Sequence, residues 1–128
     1  MGRRYRKTQQ VTSCQDIELG TADGDVTIPI QAPSAGAIVD RIIITDQIAG
    51  TTTDGSYTLI LEEVGTAIAH SGTITMGEVD AGVGTIVTAP GLGTLGATAE
   101  GTMFQFQVTE VDTVTTTVTV AVTIWWIT

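Results

Sequence analysis

The sequence predicts an all-β chain: an antiparallel β-sandwich, jelly-roll-like, of about eight strands, with an extended basic N-terminal arm. The chain is rich in Thr, Val and Ile and contains 15 Gly. Thr, Val and Ile are stiff at the first side-chain torsion, which disfavours helix and suits a pleated sheet. Short alternating apolar segments recur with turn residues between them, and a parallel sheet is disfavoured because it needs crossover helices. An immunoglobulin-like sandwich is the alternative, although its paired Cys and mid-chain Trp are absent.

The first two strands are predicted at residues 11–19 and 25–32. An Asp23-Gly24 step between them is a turn signal. Pro29 lies inside the second segment and cannot donate a ladder hydrogen bond. This strand is therefore expected at a sheet edge, or to carry a bulge at the proline.

The next three strands are predicted at residues 37–47, 56–64 and 66–74. The first of these is apolar on both faces, as expected for a central strand. Gly65 separates the other two and is expected to turn one into the other.

The rest of the chain alternates between weak and strong patterns. Residues 75–101 are expected to be mostly loop, apart from a short apolar alternation at 84–88, and a long loop is often a binding or assembly element. Residues 102–111 alternate apolar and polar side chains, and residues 114–127 form the clearest strand of all.

Charge divides the chain into two parts. Four of the five basic residues lie between residues 3 and 7, so the first seven residues carry +4. Residues 8–128 carry −13, from 14 acids and the single cation Arg41. We therefore predict a basic arm at residues 1–10 and one sandwich domain at residues 11–128. The partner-binding residues predicted in the arm are Arg3, Arg4, Tyr5, Arg6 and Lys7.

An Arg-rich arm first suggests nucleic acid, whose phosphates it could neutralise. A −13 domain is repelled by a polyanion, and four cations with one aromatic fall short of a base-reading surface. Nucleic acid is therefore not the expected partner. An acidic protein surface, including a neighbouring copy of this chain, is electrostatically easier.

Catalysis is not expected. Cys14 and the serines at 13, 34, 56 and 71 are the candidate nucleophiles, with His70 as the single imidazole. None of the common nucleophile, zinc-protease or phosphate-loop motifs occurs. We interpret His70 as an exposed or hydrogen-bonded histidine, and no cofactor is predicted.

Three acidic pairs could offer oxygen ligands, but none has the spacing of a known calcium loop. They are Asp23 with Asp25, Glu62 with Glu63, and Glu78 with Asp80. We expect solvated turn acids and no bound metal, with a cation that bridges acidic subunits as the open alternative. No stretch of about 20 apolar residues is present, so no contact with a membrane is predicted.

The last strand suggests a subunit interface. Its Val and Thr residues alternate between two faces until Trp125 and Ile127 appear on the Thr face. A strand that is apolar on both faces is covered either by its own domain or by another subunit, and Trp is enriched at interface centres. Trp125 and Ile127 are therefore the subunit-interface candidates of an expected homo-oligomer.

The chain resembles the small all-β decoration, or cement, proteins of tailed-virus (phage-type) capsids, and more loosely the single jelly-roll proteins of virions. The resemblance covers most of residues 11–128. It rests on Thr/Val/Gly-rich strands, on Ala-Ile-Val-Asp-Arg-Ile-Ile-Ile at 37–44 followed by Tyr-Thr-Leu-Ile-Leu at 57–61, and on the terminal Thr-Val ladder. It implies a structural protein, often a trimer, made in the host cytoplasm and located on the virion surface. There it would bind capsid shell proteins where they meet, with a terminal arm reaching into the shell.

Two other functions stay open. A carbohydrate-binding or receptor-binding domain of a fibre would need exposed aromatic platforms, for which Tyr57, Trp125 and Trp126 are available. A small jelly-roll capsid protein would use the arm to touch packaged genome.

Overall fold

The computed structural model describes residues 9–19, 24–46, 57–66, 68–76, 86–92, 99–110 and 119–128. Within these ranges the chain forms eight β-strands and no helix. The strands are β1 (Gln9–Glu18), β2 (Gly24–Gln31), β3 (Ile38–Asp46), β4 (Tyr57–Glu63), β5 (Ile74–Met76), β6 (Ile86–Pro90), β7 (Met103–Glu110) and β8 (Thr119–Ile127).

The eight strands form two antiparallel sheets of four. The first sheet has the order β1-β8-β3-β6, and the second sheet has the order β2-β7-β4-β5. The pairing is nested, so that strands from the start of the chain pair with strands from its end: β1 with β8, β2 with β7, β3 with β6 and β4 with β5. This nested pairing is the connectivity of a jelly roll, so the predicted all-β sandwich of about eight strands is confirmed, while the N-terminal arm lies outside the described residues. The immunoglobulin-like alternative is wrong, because its sheets follow the orders ABED and CFG.

The core lies between the sheets and is built by period-two alternation. Along β8, residues 120, 122, 124 and 126 are fully buried, and the residues between them are half-buried. Phe104 and Phe106 of β7 are also fully buried. The rings of Phe104 and Trp126 meet edge to face with centroids 5.4 Å apart, which joins the two sheets. The alternation predicted for the last two strands is therefore confirmed where the structure describes them.

Pro29 has the setting that the sequence predicted. Its strand, β2, is an edge of the second sheet. The register with β7 also shifts between Ile28 and Gln31. At an edge or at an irregularity, the missing N–H of proline breaks no hydrogen bond of the regular ladder.

The central strand β3 lies between β8 and β6, as predicted. Its pairing with β8 shifts between Val39 and Arg41. Close by, the Gly91 N–H donates to the Asp40 carbonyl oxygen over 2.9 Å. A Cβ at Gly91 would overlap the Val39 carbonyl oxygen, so this approach requires glycine.

The strand predicted at residues 66–74 is wrong in its bounds. Gly65 does turn the chain, with a φ of 75°. After this turn, regular pairing with β4 begins only at β5. Between the turn and β5 the described residues form two isolated bridges, Ala69 with Glu62 and Ser71 with Gly91. The ladder is interrupted because the Leu61 N–H donates to the Ser71 hydroxyl oxygen instead of to a carbonyl.

The loop predicted at residues 75–101 is partly wrong. It contains part of β5 and all of β6, and β6 begins within the short alternation noted at 84–88. Residues 77–85 and 93–98 lie outside the described residues. β1 begins at Gln9, two residues before its predicted start.

Candidate functional site

The basic arm directly precedes β1. Its predicted binding residues, Arg3 to Lys7, lie outside the described residues, so their role stays a prediction. β1 continues from the arm as an edge strand of the first sheet. A partner that binds the arm is therefore tethered, through the chain, to the strand at that edge of the first sheet.

The predicted interface residues Trp125 and Ile127 lie on the outer face of the first sheet, and both are half-buried. Cross-strand register places Val11 and Arg41 on either side of Trp125. Val11 is 48% exposed, which is high for a large apolar residue. We call this surface the Trp125 patch, which consists of Val11, Ile38, Arg41, Ile43, Trp125 and Ile127.

Arg41 partly covers Trp125. The guanidinium carbon lies 4.7 Å from the centroid of the indole ring, within the range of a cation–π contact. The Trp125 indole nitrogen is buried and has no hydrogen-bond partner among the described residues. The sequence did not reveal this contact, because the register between β3 and β8 includes a shift that no local pattern shows.

Trp126 has a structural role. It is fully buried, and its indole N–H donates to the Thr12 hydroxyl oxygen over 2.8 Å. A buried ring cannot stack on a sugar, so the interpretation of Trp126 as an aromatic platform is wrong.

His70 lies inside the sandwich and not on its surface. It is 2% exposed, and its ring meets Phe104 edge to face at 5.2 Å. Its Nε2 lies 3.9 Å from Glu63 Oε1, and no described group hydrogen-bonds that nitrogen. Burial lowers the pKa of His70, and the Glu63 carboxylate opposes this in part. The expected exposed or hydrogen-bonded setting is therefore wrong for Nε2.

Glu62 and Glu63 are not solvated turn acids, which corrects the sequence interpretation. Both belong to β4, and they are 8% and 3% exposed. Gln105 Nε2 of β7 donates to Glu62 Oε1 over 2.7 Å. Adjacent strand residues point to opposite faces, so the two glutamates do not share one site.

Cys14 of β1 is half-buried. Burial raises the pKa of its thiol, although a backbone hydrogen bond at Val122 acts in the opposite direction. A raised pKa reduces the thiolate that a nucleophile requires.

Across the described ranges, no three His, Cys, Asp or Glu side chains lie close enough to hold a metal ion. The predicted absence of a metal stays a prediction, since Glu78 and Asp80 lie outside those ranges. In the same part of the chain there is no helix of the length and apolarity that crossing a membrane requires.

A cleft of about 510 Å³ opens between the edge strands β1 and β2. Its lining consists of Thr12 and Ser13 of β1, residues 29–33, and the pair Glu100 and Gly101. Among the described residues, the lining combines hydroxyl groups, an amide and a carboxylate with two prolines, Ile30 and Ala32, and it contains no aromatic ring. These residues offer both polar and apolar contacts but no ring on which a sugar could stack.

Comparison with known proteins gives no family to which the chain can be assigned. No known protein family matches the sequence. No curated protein matches it either.

Proposed function

We propose that this chain is a structural virion protein, a capsid decoration protein that binds a shell through oligomeric contacts and its N-terminal arm. The observation that carries the proposal is the nested strand order of the two sheets. Jelly rolls of this order build viral capsid proteins, lectins and cupins. The choice among these depends on the side chains.

The side chains favour assembly over the other two classes. The chain has one histidine, whereas metal sites of enzymes commonly use several, and His70 is buried. Of the three aromatic side chains that a sugar-binding domain would use, Trp126 is buried and Trp125 is partly covered by Arg41, while the side chain of Tyr57 lies outside the described residues. Attachment of a decoration protein to a shell requires neither a set of catalytic residues nor an exposed aromatic ring.

The Trp125 patch supports a homo-oligomer. It combines apolar side chains with one charged residue, in a chain whose net charge is −9. Copies of an acidic protein repel one another, so they would meet most favourably where carboxylates are few. Trp and Arg are also enriched at the energetic centres of interfaces.

The arm supplies the second contact. A +4 segment attached to a −13 body is attracted to acidic protein surfaces, including other copies. Many weak arms on one oligomer would act together through effective concentration, so that a shell is bound tightly although each arm binds weakly.

The test compares shell attachment of the full chain with that of a chain lacking residues 1–7. Isolated shells of the virus that encodes the protein are emptied of DNA, incubated with each form and sedimented. We expect the full chain to co-sediment at a fixed ratio and to raise the temperature at which shells disrupt. The truncated chain should retain its circular dichroism and melting curve while its attachment falls about tenfold or more.

A matched control keeps the length of the arm and removes its charge, with Arg3, Arg4, Arg6 and Lys7 all replaced by Gln. It should behave like the truncated chain. Unaltered attachment after truncation contradicts the role of the arm, and a full chain that binds no shell contradicts the decoration function. Binding that requires packaged DNA would favour the genome-contacting alternative.

A further inference from the structure

We propose that the cleft between β1 and β2 is the docking site for the basic arm of a second copy of this chain, which adds to the free edge of β1 as an extended strand. This inference rests on the proposed role of the arm and assigns that arm a binding site. Three features of the described residues support it: the unprotected edge of β1, the chemistry of the cleft, and the connection of the arm to its own β1.

The edges of the two sheets are protected unequally. β5 has three residues, β6 has five and ends at Pro90, and β2 carries Pro29 and a register shift. Short strands, prolines and irregular pairing all discourage the addition of another strand. By contrast, β1 runs for ten residues at the edge of the first sheet.

The first part of β1 has none of these protective features. Residues 9–14 pair with β8 in continuous register, and the sequence there, Gln-Gln-Val-Thr-Ser-Cys, has no proline and no charge. The register shift comes only after Cys14. Residues 9, 10, 11 and 13 are exposed, and no other described strand pairs with this edge of β1. The segment therefore offers a regular edge to an added strand.

The cleft adjoins the same segment at two of its residues. Its lining includes Thr12 and Ser13 of β1 and the exposed carboxylate of Glu100. Across the cleft, Pro29 of β2 and Pro33 beyond its end lack a backbone N–H, so neither residue can donate a hydrogen bond to an added strand. A strand seated on β1 would thus have β2 beside it and Glu100 within reach of a basic side chain.

The arm matches this chemistry. In an extended segment alternate side chains share a face, so Arg4 and Arg6 lie on one face and Arg3 and Lys7 on the other. Either orientation presents two cations to the same side. Residues 3–7 span about 17 Å when extended, comparable with the same number of residues of β1.

The arm that docks belongs to another copy, because only Thr8 separates Lys7 from the start of β1 at Gln9 and leaves little chain for a reversal of direction. To reach the edge of its own strand, the arm would have to reverse direction between Lys7 and Gln10. Residues 7–10 are Lys-Thr-Gln-Gln, with no Gly, Asn, Asp or Pro to favour a tight hairpin turn. The sequence of residues 7–10 therefore favours docking of the arm in the cleft of a neighbouring copy over docking in its own.

Cysteine trapping in the full chain tests this assignment. In a Cys14→Ser background, one variant carries Tyr5→Cys in the arm and a second carries Gln31→Cys in the cleft. A third carries Thr75→Cys, an exposed position on the edge strand β5 of the second sheet. The first variant is mixed with either of the others under mild oxidation, and the mixed disulfide is measured by mass spectrometry.

We expect the arm to cross-link to Gln31→Cys about tenfold more than to Thr75→Cys, because docking raises the local concentration of the arm at one site only. Added Glu100→Gln should lower the yield at position 31 about two- to fivefold, the range expected for one exposed ion pair. Asp40→Asn makes the same charge change at another exposed acid and should have no such effect. Raising the salt concentration should lower the yield at position 31.

Three outcomes overturn the inference. Equal yields at positions 31 and 75, or equal effects of Glu100→Gln and Asp40→Asn, would mean that the arm responds to overall charge. No disulfide at position 31 would mean that the cleft is not its site. A chain that carries both Tyr5→Cys and Gln31→Cys and closes the disulfide within itself at high dilution would assign the cleft to its own arm.

Failure here is distinguishable from failure of the proposed function. Shell attachment by the full chain without cross-linking at position 31 removes this docking site and leaves the decoration role standing. Cross-linking at position 31 without shell attachment supports the docking site and removes the decoration role.

Discussion

The two sheets of the sandwich differ in where they place polar side chains. All the buried polar or charged side chains of the described residues belong to the second sheet or to the segment that extends it beside β4. They are Glu62, Glu63, His70, Ser71 and Gln105. The buried side chains of the first sheet are hydrophobic, and its outer face carries the Trp125 patch.

This difference separates two roles. In a low-dielectric interior a polar group stabilises the fold only when it is satisfied, so changes in the second sheet should act strongly on folding. On the outer face of the first sheet the Trp125 indole nitrogen is buried but has no partner among the described residues, so a substitution there breaks no hydrogen bond within that part of the chain. The side chains of this face can therefore serve contact with a partner, and changes there should affect assembly more than stability.

The largest expected effect comes from Glu62→Ala in the second sheet. The substitution removes the acceptor of the 2.7 Å hydrogen bond from Gln105 and leaves a buried amide unpaired. We expect a loss of about 1.5–3 kcal/mol in the free energy of unfolding, measured by urea denaturation.

The controls restore the pairing or remove it completely. Glu62→Gln keeps an acceptor at the same place and should cost less than Glu62→Ala. The double variant Glu62→Met/Gln105→Leu removes both polar groups and should recover much of the loss. A loss of stability in Glu62→Ala that matches that of Glu62→Gln would show that the hydrogen bond is not the cause.

The next effect concerns pH and His70. Because burial lowers the pKa of His70 in the folded state, the unfolded chain binds a proton more readily than the folded chain. The neutral histidine thus supports folding fully above its unfolded pKa of 6.5, and this support declines as the pH falls below that value. We expect the free energy of unfolding to decrease between pH 7.5 and 5.5.

The matched variant is His70→Gln, which has no titrating group at this position. It should be less stable at pH 7.5, yet its stability should depend less on pH across the same interval. Parallel curves for the two proteins would mean that His70 is not the group responsible.

Local pattern was sufficient to predict much of this architecture. The alternation along β8 determines which side chains face the core, because side chains on a strand alternate between two sides. Pro29 indicated its own setting, since a missing N–H is tolerated only at an edge or an irregularity. Gly65 marked a turn for the related reason that it readily takes a positive φ.

The features of the candidate sites were harder to predict because they join distant residues. Thr12 and Trp126 are 114 residues apart in the chain, and Glu62 and Gln105 are 43 apart. Neither pair can be identified until the strand order and register are known. The cleft likewise exists only because the jelly roll places two edge strands side by side.

The smallest effect on stability, and the clearest on assembly, is expected from Trp125→Thr in the first sheet. Threonine continues the polar pattern of this face of β8 and favours a strand. The folded subunit loses the contact with Arg41 and part of a half-buried ring, at a cost of about 1 kcal/mol. The proposed oligomer should dissociate to a smaller species, measured by light scattering coupled to size-exclusion chromatography.

Gln107→Thr is the matched control on the outer face of the second sheet, where Gln107 is exposed. It should leave both the mass in solution and the stability unchanged. If the first sheet is the contact surface, only Trp125→Thr shifts the mass, and it does so without a comparable loss of stability. If both variants leave the mass unchanged, the Trp125 patch is not a subunit interface, and the polar second sheet and apolar first sheet differ in their folding energetics alone.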